Sequence, residues 1–164
     1  MVTFKGSSVK LAGKEIKVGD AAPKVELVAG DLSLKSVGGS TGKYQVINVV
    51  PSLDTGVCAT QTRKFNEKAA SLANTEVFVV SLDLPFAQGR FCSTEGIKNV
   101  EALSDFRNKK FGESYGVLLD GSPLDGLLTR AVFVVDPQGK VVYKEIVSEI
   151  TEEPNYEGAL SSIK

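Results

Sequence analysis

With 164 residues, 19 lysines and arginines against 20 aspartates and glutamates, and a net charge of −1, the chain fits one domain with a sizeable core. Balanced charge gives no pull toward nucleic acid or an anionic membrane, and no apolar run approaches the ~20 residues needed to span a bilayer. Histidine is absent, which removes Ser–His–Asp and Cys–His hydrolases and most catalytic zinc sites, and the two cysteines form no Cys-x-x-Cys pair.

In chain order, Val2-Thr3-Phe4, Val9-Lys10-Leu11 and Ile16-Lys17-Val18, punctuated by Gly13, predict an N-terminal β-hairpin or meander. Met1 to Gly6 has neither the charged nor the apolar region of a signal peptide, so the expected compartment is the cytoplasm. Val25–Val28 and Leu32–Leu34 flank Gly30-Asp31 as a second hairpin, and Gly38–Gly42 reads as a flexible loop. Tyr44–Val50 is nearly continuously apolar and β-branched, the pattern of a central strand covered on both faces. Pro51 lacks a backbone N–H and stops that strand.

Beyond it, Cys58, Thr62, Phe65, Ala69 and Leu72 recur at helical spacing, predicting a helix over 58–73 with Thr55 as N-cap and Cys58 at N3. Unsatisfied N–H groups and the positive end of the helix dipole favour a thiolate there. Spacing alone equally admits Cys58 as a small buried hydrophobe. Asn74 is a left-handed cap, and Glu76–Leu82 is a second apolar strand, parallel to the first in a βαβ unit. Pro85–Gly89 breaks regularity, and Arg90–Gly96 forms one short helical turn holding Cys92. A strand at Val100–Ser104, a helix over 106–113 and a loop at Gly121–Gly126 follow. Leu127–Val135 and Lys140–Ile146 pair as antiparallel strands, and a last helix runs from Pro154 to about Ile163. Arg130 stands inside the apolar run Leu127–Phe133; such a cation either has a partner or a function, or marks a solvated strand end.

Three of these segments together resemble the peroxiredoxins. Pro51, Thr55 and Cys58 stand as Pro-x-x-x-Thr-x-x-Cys, which resembles their peroxidatic-cysteine motif. Ser81-Leu82-Asp83-Leu84-Pro85-Phe86-Ala87-Gln88-Gly89-Arg90-Phe91-Cys92 resembles the resolving-cysteine segment of the thiol peroxidase branch, the atypical two-cysteine peroxiredoxins. Thr129–Asp136 resembles the strand that carries the family's active-site arginine. The resemblance runs from Val2 to near the C-terminus.

It implies an α/β, thioredoxin-like fold: a central mixed β-sheet flanked by helices, with an N-terminal β-hairpin. It also implies that Cys58 attacks hydrogen peroxide or an organic hydroperoxide and that Cys92, 34 positions on, resolves the sulfenic acid in an intramolecular Cys58–Cys92 disulfide. Thr55 would supply an active-site hydrogen bond, Arg130 would stabilise the thiolate and polarise the peroxide, and Pro51 would shield the sulfur. Thioredoxin is the implied reductant and a homodimer the implied assembly, with no cofactor or metal. As a permanent link the disulfide would stabilise the fold by roughly 3–4 kcal/mol. Cytosolic thiols are kept reduced, which favours a transient bond. Both cysteine segments should then unwind locally on oxidation. Phe86, Phe91 and Leu53 are candidates for a pocket taking alkyl groups, or else plain core. Two other functions fit the same cysteines: a redox sensor or relay, and a non-catalytic thioredoxin-fold binding domain with structural cysteines.

Overall fold

Two apolar faces on one set of strands explain the architecture. A computed structural model describes residues 1–164. Its strands are β1 (Val2–Phe4), β2 (Ser7–Ala12), β3 (Val25–Val28), β4 (Leu34–Val37), β5 (Tyr44–Val49), β6 (Thr75–Ser81), β7 (Glu101–Ser104), β8 (Leu118–Asp120), β9 (Ala131–Val135) and β10 (Val141–Ile146). Its helices are α1 (Gly56–Ala69), α2 (Pro85–Glu95), α3 (Lys110–Tyr115) and α4 (Tyr156–Ser161). Seven strands form one mixed sheet in the order β10-β9-β5-β6-β7-β3-β4. Within it β5, β6 and β7 are parallel, and β9 pairs antiparallel with β5. This is the thioredoxin-like, helix-flanked mixed sheet that the resemblance implies, and β1 and β2 form the expected N-terminal hairpin.

Because side chains alternate along a strand, the continuous apolar runs feed two cores at once. Ile47, Val49, Phe78, Val80, Phe133 and Val135 face one side, where Phe111 and Tyr115 of α3 cover them. Val46, Val77, Val79, Val132 and Val134 face the other, with Cys58 and Phe65 of α1, Ala159 of α4 and, at its margin, Phe91 and Cys92 of α2. Each fully buried aliphatic or aromatic side chain contributes about 1.5–3 kcal/mol, so both faces are needed to hold the central strands. Both cysteines therefore lie on one side of the sheet, in one apolar cluster.

Several boundaries differ from the sequence reading, each for a local reason. Ile16–Val18 is no strand; Ile16 is buried, but its carbonyl accepts from Lys144 Nζ at 2.6 Å. The partner that completes the N-terminal sheet is instead β8, a three-residue strand without a recognisable pattern. The second hairpin resumes at Leu34, because Leu32 takes a left-handed backbone (φ 68°) in the turn. Helix α1 ends at Ala69, and Ser71 and Leu72 bond back to Lys68 and Ala69 in tighter turns; Asn74 is left-handed (φ 51°) but does not cap the helix, whose C-cap is the right-handed Ala70. Helix α3 begins at Lys110 rather than residue 106, and α4 stops at Ser161. Residues 127–130 precede β9 rather than belonging to it. Their backbone is engaged elsewhere: Leu119 N–H donates to the Leu127 carbonyl, Thr129 N–H to Val117 and Val147 N–H to Arg130.

Pro85 starts a helix instead of breaking one. It occupies the first position of the 11-residue α2, where a missing N–H costs nothing and its fixed φ suits the helix. The last turn of α2 closes on Gly96 (φ 66°), with the N–H groups of Gly96 and Ile97 both reaching the Cys92 carbonyl.

No helix is long and apolar enough to cross a membrane. At Gly38 (φ +78°) an added Cβ would overlap the Pro23 carbonyl and lie 2.6 Å from Tyr115 Oη, which itself donates to that carbonyl at 2.7 Å. Gly38→Ala is therefore expected to cost about 3 kcal/mol, read as a lower urea midpoint with an unchanged denaturant slope.

Candidate active site

The site is built where three distant parts of the chain meet beneath α1. Thr55 is the N-cap residue, with extended backbone (φ −126°, ψ 150°), so Cys58 falls at N3 as its spacing required. Cys58 is fully buried, and the Thr62 hydroxyl donates to its carbonyl at 2.9 Å. The first turn of α1 contains no acidic side chain to oppose a negative sulfur.

Arg130, 2% exposed, reaches Cys58 from immediately before β9. Its Nη2 donates to Cys58 Sγ at 3.3 Å, its Nη1 to Gln61 Oε1 at 2.8 Å and its Nε to the Ile150 carbonyl at 2.7 Å. A buried guanidinium without such partners would be costly, so the side chain is neither a solvated strand end nor free to move. Each of the three acceptors is formally neutral when Cys58 is a thiol. Glu153, whose carboxyl lies in the field of Arg130, is occupied by Lys64 at 2.9 Å and the Tyr156 hydroxyl at 2.8 Å. The Lys64 and Tyr156 bonds are the main causes holding that carboxyl below its ordinary value. Ionisation of Cys58 would thus place a counter-charge directly against the guanidinium.

Gln61 and the Ile150 carbonyl were not expected from the sequence. Gln61 is fully buried one turn beyond Cys58, and its amide donates to Asn48 Oδ1 of β5. The available signal was a polar side chain at i+3 on an otherwise apolar helix stripe. Without knowing what α1 packs against, that signal has no partner to name.

The other expected residues are placed differently. Pro51 is buried just past the end of β5, where it ends the strand as predicted. The Thr55 hydroxyl is exposed and donates to the Ser52 carbonyl at 3.1 Å; it neither caps α1 nor bonds to Cys58. Cys92 is half-buried in the last full turn of α2, and both cysteines are free thiols. Burial pushes the Cys92 thiol up from its ordinary value.

A cavity of about 550 Å³ separates the two cysteine-bearing segments. Ser52, Leu53 and Asp54 line it from the loop before α1, and Arg90, Phe91 and Glu95 from α2. Leu53 and Phe91 thus do line a pocket, but a largely polar one, while Phe86 is 69% exposed and stands outside it.

Removing the Gln61 acceptor in Gln61→Leu should cost about 2–3 kcal/mol, the scale of a hydrogen bond to a charged group, measured by denaturant unfolding. In a Cys58→Ser variant, burial favours the neutral form of the remaining thiol. Iodoacetamide should therefore modify Cys92 more slowly than a free cysteine at neutral pH, with the rate still climbing above the ordinary thiol range near ~8.5.

Comparison with known proteins gives the family and the fold. The redoxin family model matches residues 17–160. A thiol peroxidase of Campylobacter jejuni is 59% identical over 155 residues, covering 94% of this chain and 87% of that protein. The crystal structure of a peroxiredoxin-like protein from Aquifex aeolicus superposes with a TM-score of 0.96 at 52% identity, covering 99% of this chain and 94% of that one. A thiol peroxidase structure from Chromobacterium violaceum shares the fold, with a TM-score of 0.88 at 21% identity over 98% and 93% of the two chains. The chain belongs to the redoxin family, in its thiol peroxidase branch, and is an enzyme of the peroxiredoxin type.

Proposed function

We propose that the chain reduces hydrogen peroxide and organic hydroperoxides to water and alcohols through Cys58. The observation that carries this reading is the buried Arg130 guanidinium donating to a first-turn cysteine sulfur at 3.3 Å. In the thiolate form, Sγ has a cation and the N-terminus of α1 beside it. It attacks the terminal oxygen of the hydroperoxide, the O–O bond breaks, and the departing alkoxide or hydroxide takes a proton to leave as alcohol or water. Cys58 becomes a sulfenic acid. Arg130 is positioned to spread the charge that develops on the two peroxide oxygens. Pro51 is assigned the shielding of the sulfur. Thr55 is assigned a hydrogen bond to the bound peroxide, which requires its hydroxyl to leave the Ser52 carbonyl.

The Cys92 thiol then attacks the sulfenic sulfur, expelling water and closing a Cys58–Cys92 disulfide. The net change is one hydroperoxide and two thiols converted to one alcohol or water, one further water and one disulfide. Thioredoxin, through its own dithiol, is the proposed electron donor that reopens the bond, and a homodimer the proposed assembly. Both thiols sit in terminal turns of their helices, Cys58 in the first turn of α1 and Cys92 in the last full turn of α2, where unwinding costs least.

Reduced protein mixed with one equivalent of an organic hydroperoxide tests the assignment by intact mass. Wild type should lose two hydrogens, Cys92→Ser should gain one oxygen and Cys58→Ser should stay unchanged. Arg130→Met should slow oxygen gain in the Cys92→Ser background by about 10²–10³, the range of losing one transition-state donor. A Cys58 that reacts no faster than an exposed thiol would remove the peroxidase reading.

A further inference from the structure

One carboxylate, outside the set used above, ties together the two segments that bear the thiols. Asp83 lies in the connector between β6 and α2. Its Oδ1 accepts from the Ser52 hydroxyl at 2.8 Å, and its Oδ2 accepts from Leu53 N–H at 2.8 Å and from the Ser81 hydroxyl at 2.7 Å. On the α1 side the ties continue. Ser52 Oγ accepts from Asp54 N–H at 3.2 Å, and the Ser52 carbonyl holds the Thr55 hydroxyl at the N-cap. On the α2 side Ser81 Oγ accepts from Gln88 Nε2 at 3.1 Å, and the same amide donates to the Leu103 carbonyl at 2.8 Å. The Asp83 carbonyl is itself fixed by the Ser104 hydroxyl at 2.6 Å. The carboxylate is thus anchored on the sheet and on α2, and it grips the loop that leads into α1.

We propose that Asp83 is a positioning residue: a latch that holds the Ser52–Thr55 loop, and with it the first turn of α1, closed. The inference rests on the peroxidase reading. Peroxide attack needs the turn closed, so that Sγ stays on Arg130. Disulfide formation needs the same turn to open toward Cys92. The strength of the latch therefore divides the catalytic cycle between its two steps. Its grip comes from being an ionised acceptor of three hydrogen bonds, which an amide in its place cannot reproduce.

The arithmetic of a two-state turn gives the two steps opposite responses. If the turn is mostly closed, weakening the latch tenfold raises the open fraction by almost as much, while the closed fraction barely falls. Asp83→Asn should then speed conversion of sulfenic acid to disulfide by about tenfold, the scale of one charge-assisted hydrogen bond, and slow peroxide attack less than about twofold. The faster closure should lower the yield of over-oxidised Cys58 at high peroxide.

The test combines rapid-mixing kinetics with hydrogen–deuterium exchange on the full chain, using Asp83→Asn, Ser52→Ala and the double variant. Exchange of the reduced protein needs no peroxide; the latch requires faster exchange at residues 53–57 in both single variants, with protection in β5 and β6 unchanged. Ser52→Ala breaks the same grip from the loop side, so its effect on disulfide formation should have the same sign, and the double variant should fall short of the sum. Unchanged exchange at 53–57 overturns the latch, as does a disulfide rate that stays level or falls in a folded variant. Loss of protection across the whole sheet also overturns it, since that marks a merely structural role. If wild-type Cys58 forms no sulfenic acid while exchange at 53–57 responds as stated, the peroxidase reading fails and the latch stands.

Discussion

A guanidinium buried to 2% exposure needs hydrogen-bond partners, and the way Arg130 finds them organises the rest of the molecule. Its three hydrogen bonds run to α1 twice, through Cys58 and Gln61, and to the carbonyl of Ile150 once. The Ile150 carbonyl is fixed by the N-terminal hairpin. Ile150 N–H donates to the Thr3 carbonyl at 2.9 Å and Thr3 N–H to the Ser148 carbonyl at 2.7 Å. Glu149 accepts from Gly6 N–H and from two groups of Thr151, which hold its carboxyl down at about 2. The hairpin looks peripheral in the sheet order, yet it sets the far wall of the arginine's cage. Val2, Val9 and Ile150 share one small apolar cluster that locks this contact.

The same economy governs the sheet. Strands buried on both sides have no spare polar positions, so the few that exist are paired across elements. Asn48 in β5 meets Gln61 of α1, and Gln45 in the same strand binds Gly38 N–H at 2.8 Å. The remaining polar contacts gather at the ends of strands and helices, where backbone groups are free to bind side chains. Cys58, Arg130 and Asp83 all stand at such ends. A two-sided core beneath the first turn of α1 is what holds the buried thiol against Arg130.

How much of this was legible beforehand follows from the reach of each interaction. The central strand, the helix stripe from Cys58 to Ala69 and the parallel βαβ unit depend on neighbours in sequence, and they were readable. Pro85 was misread because the residue that ends a helix is also the best one to begin it. Arg130 could be flagged as anomalous, but its partners lie 72, 69 and 20 residues away, and periodicity carries no such distances. The β8 strand and the loss of residues 127–130 from β9 share that cause, since both depend on which backbone groups a distant segment engages. Membership in a family supplied the topology; packing against the sheet supplied Gln61 and Asp83.

The hairpin's grip on Ile150 also bears on how the enzyme comes into being. A chain emerging from the ribosome has Cys58 early, but Arg130, and the Ile150 carbonyl that holds Arg130, follow only after nearly all the sequence has been made. Even then the first strand must still find residues 148–150 across the whole length of the chain. Without the later half of the chain, Sγ has no guanidinium to meet. The full setting of Cys58 therefore exists only in a chain whose two ends have met.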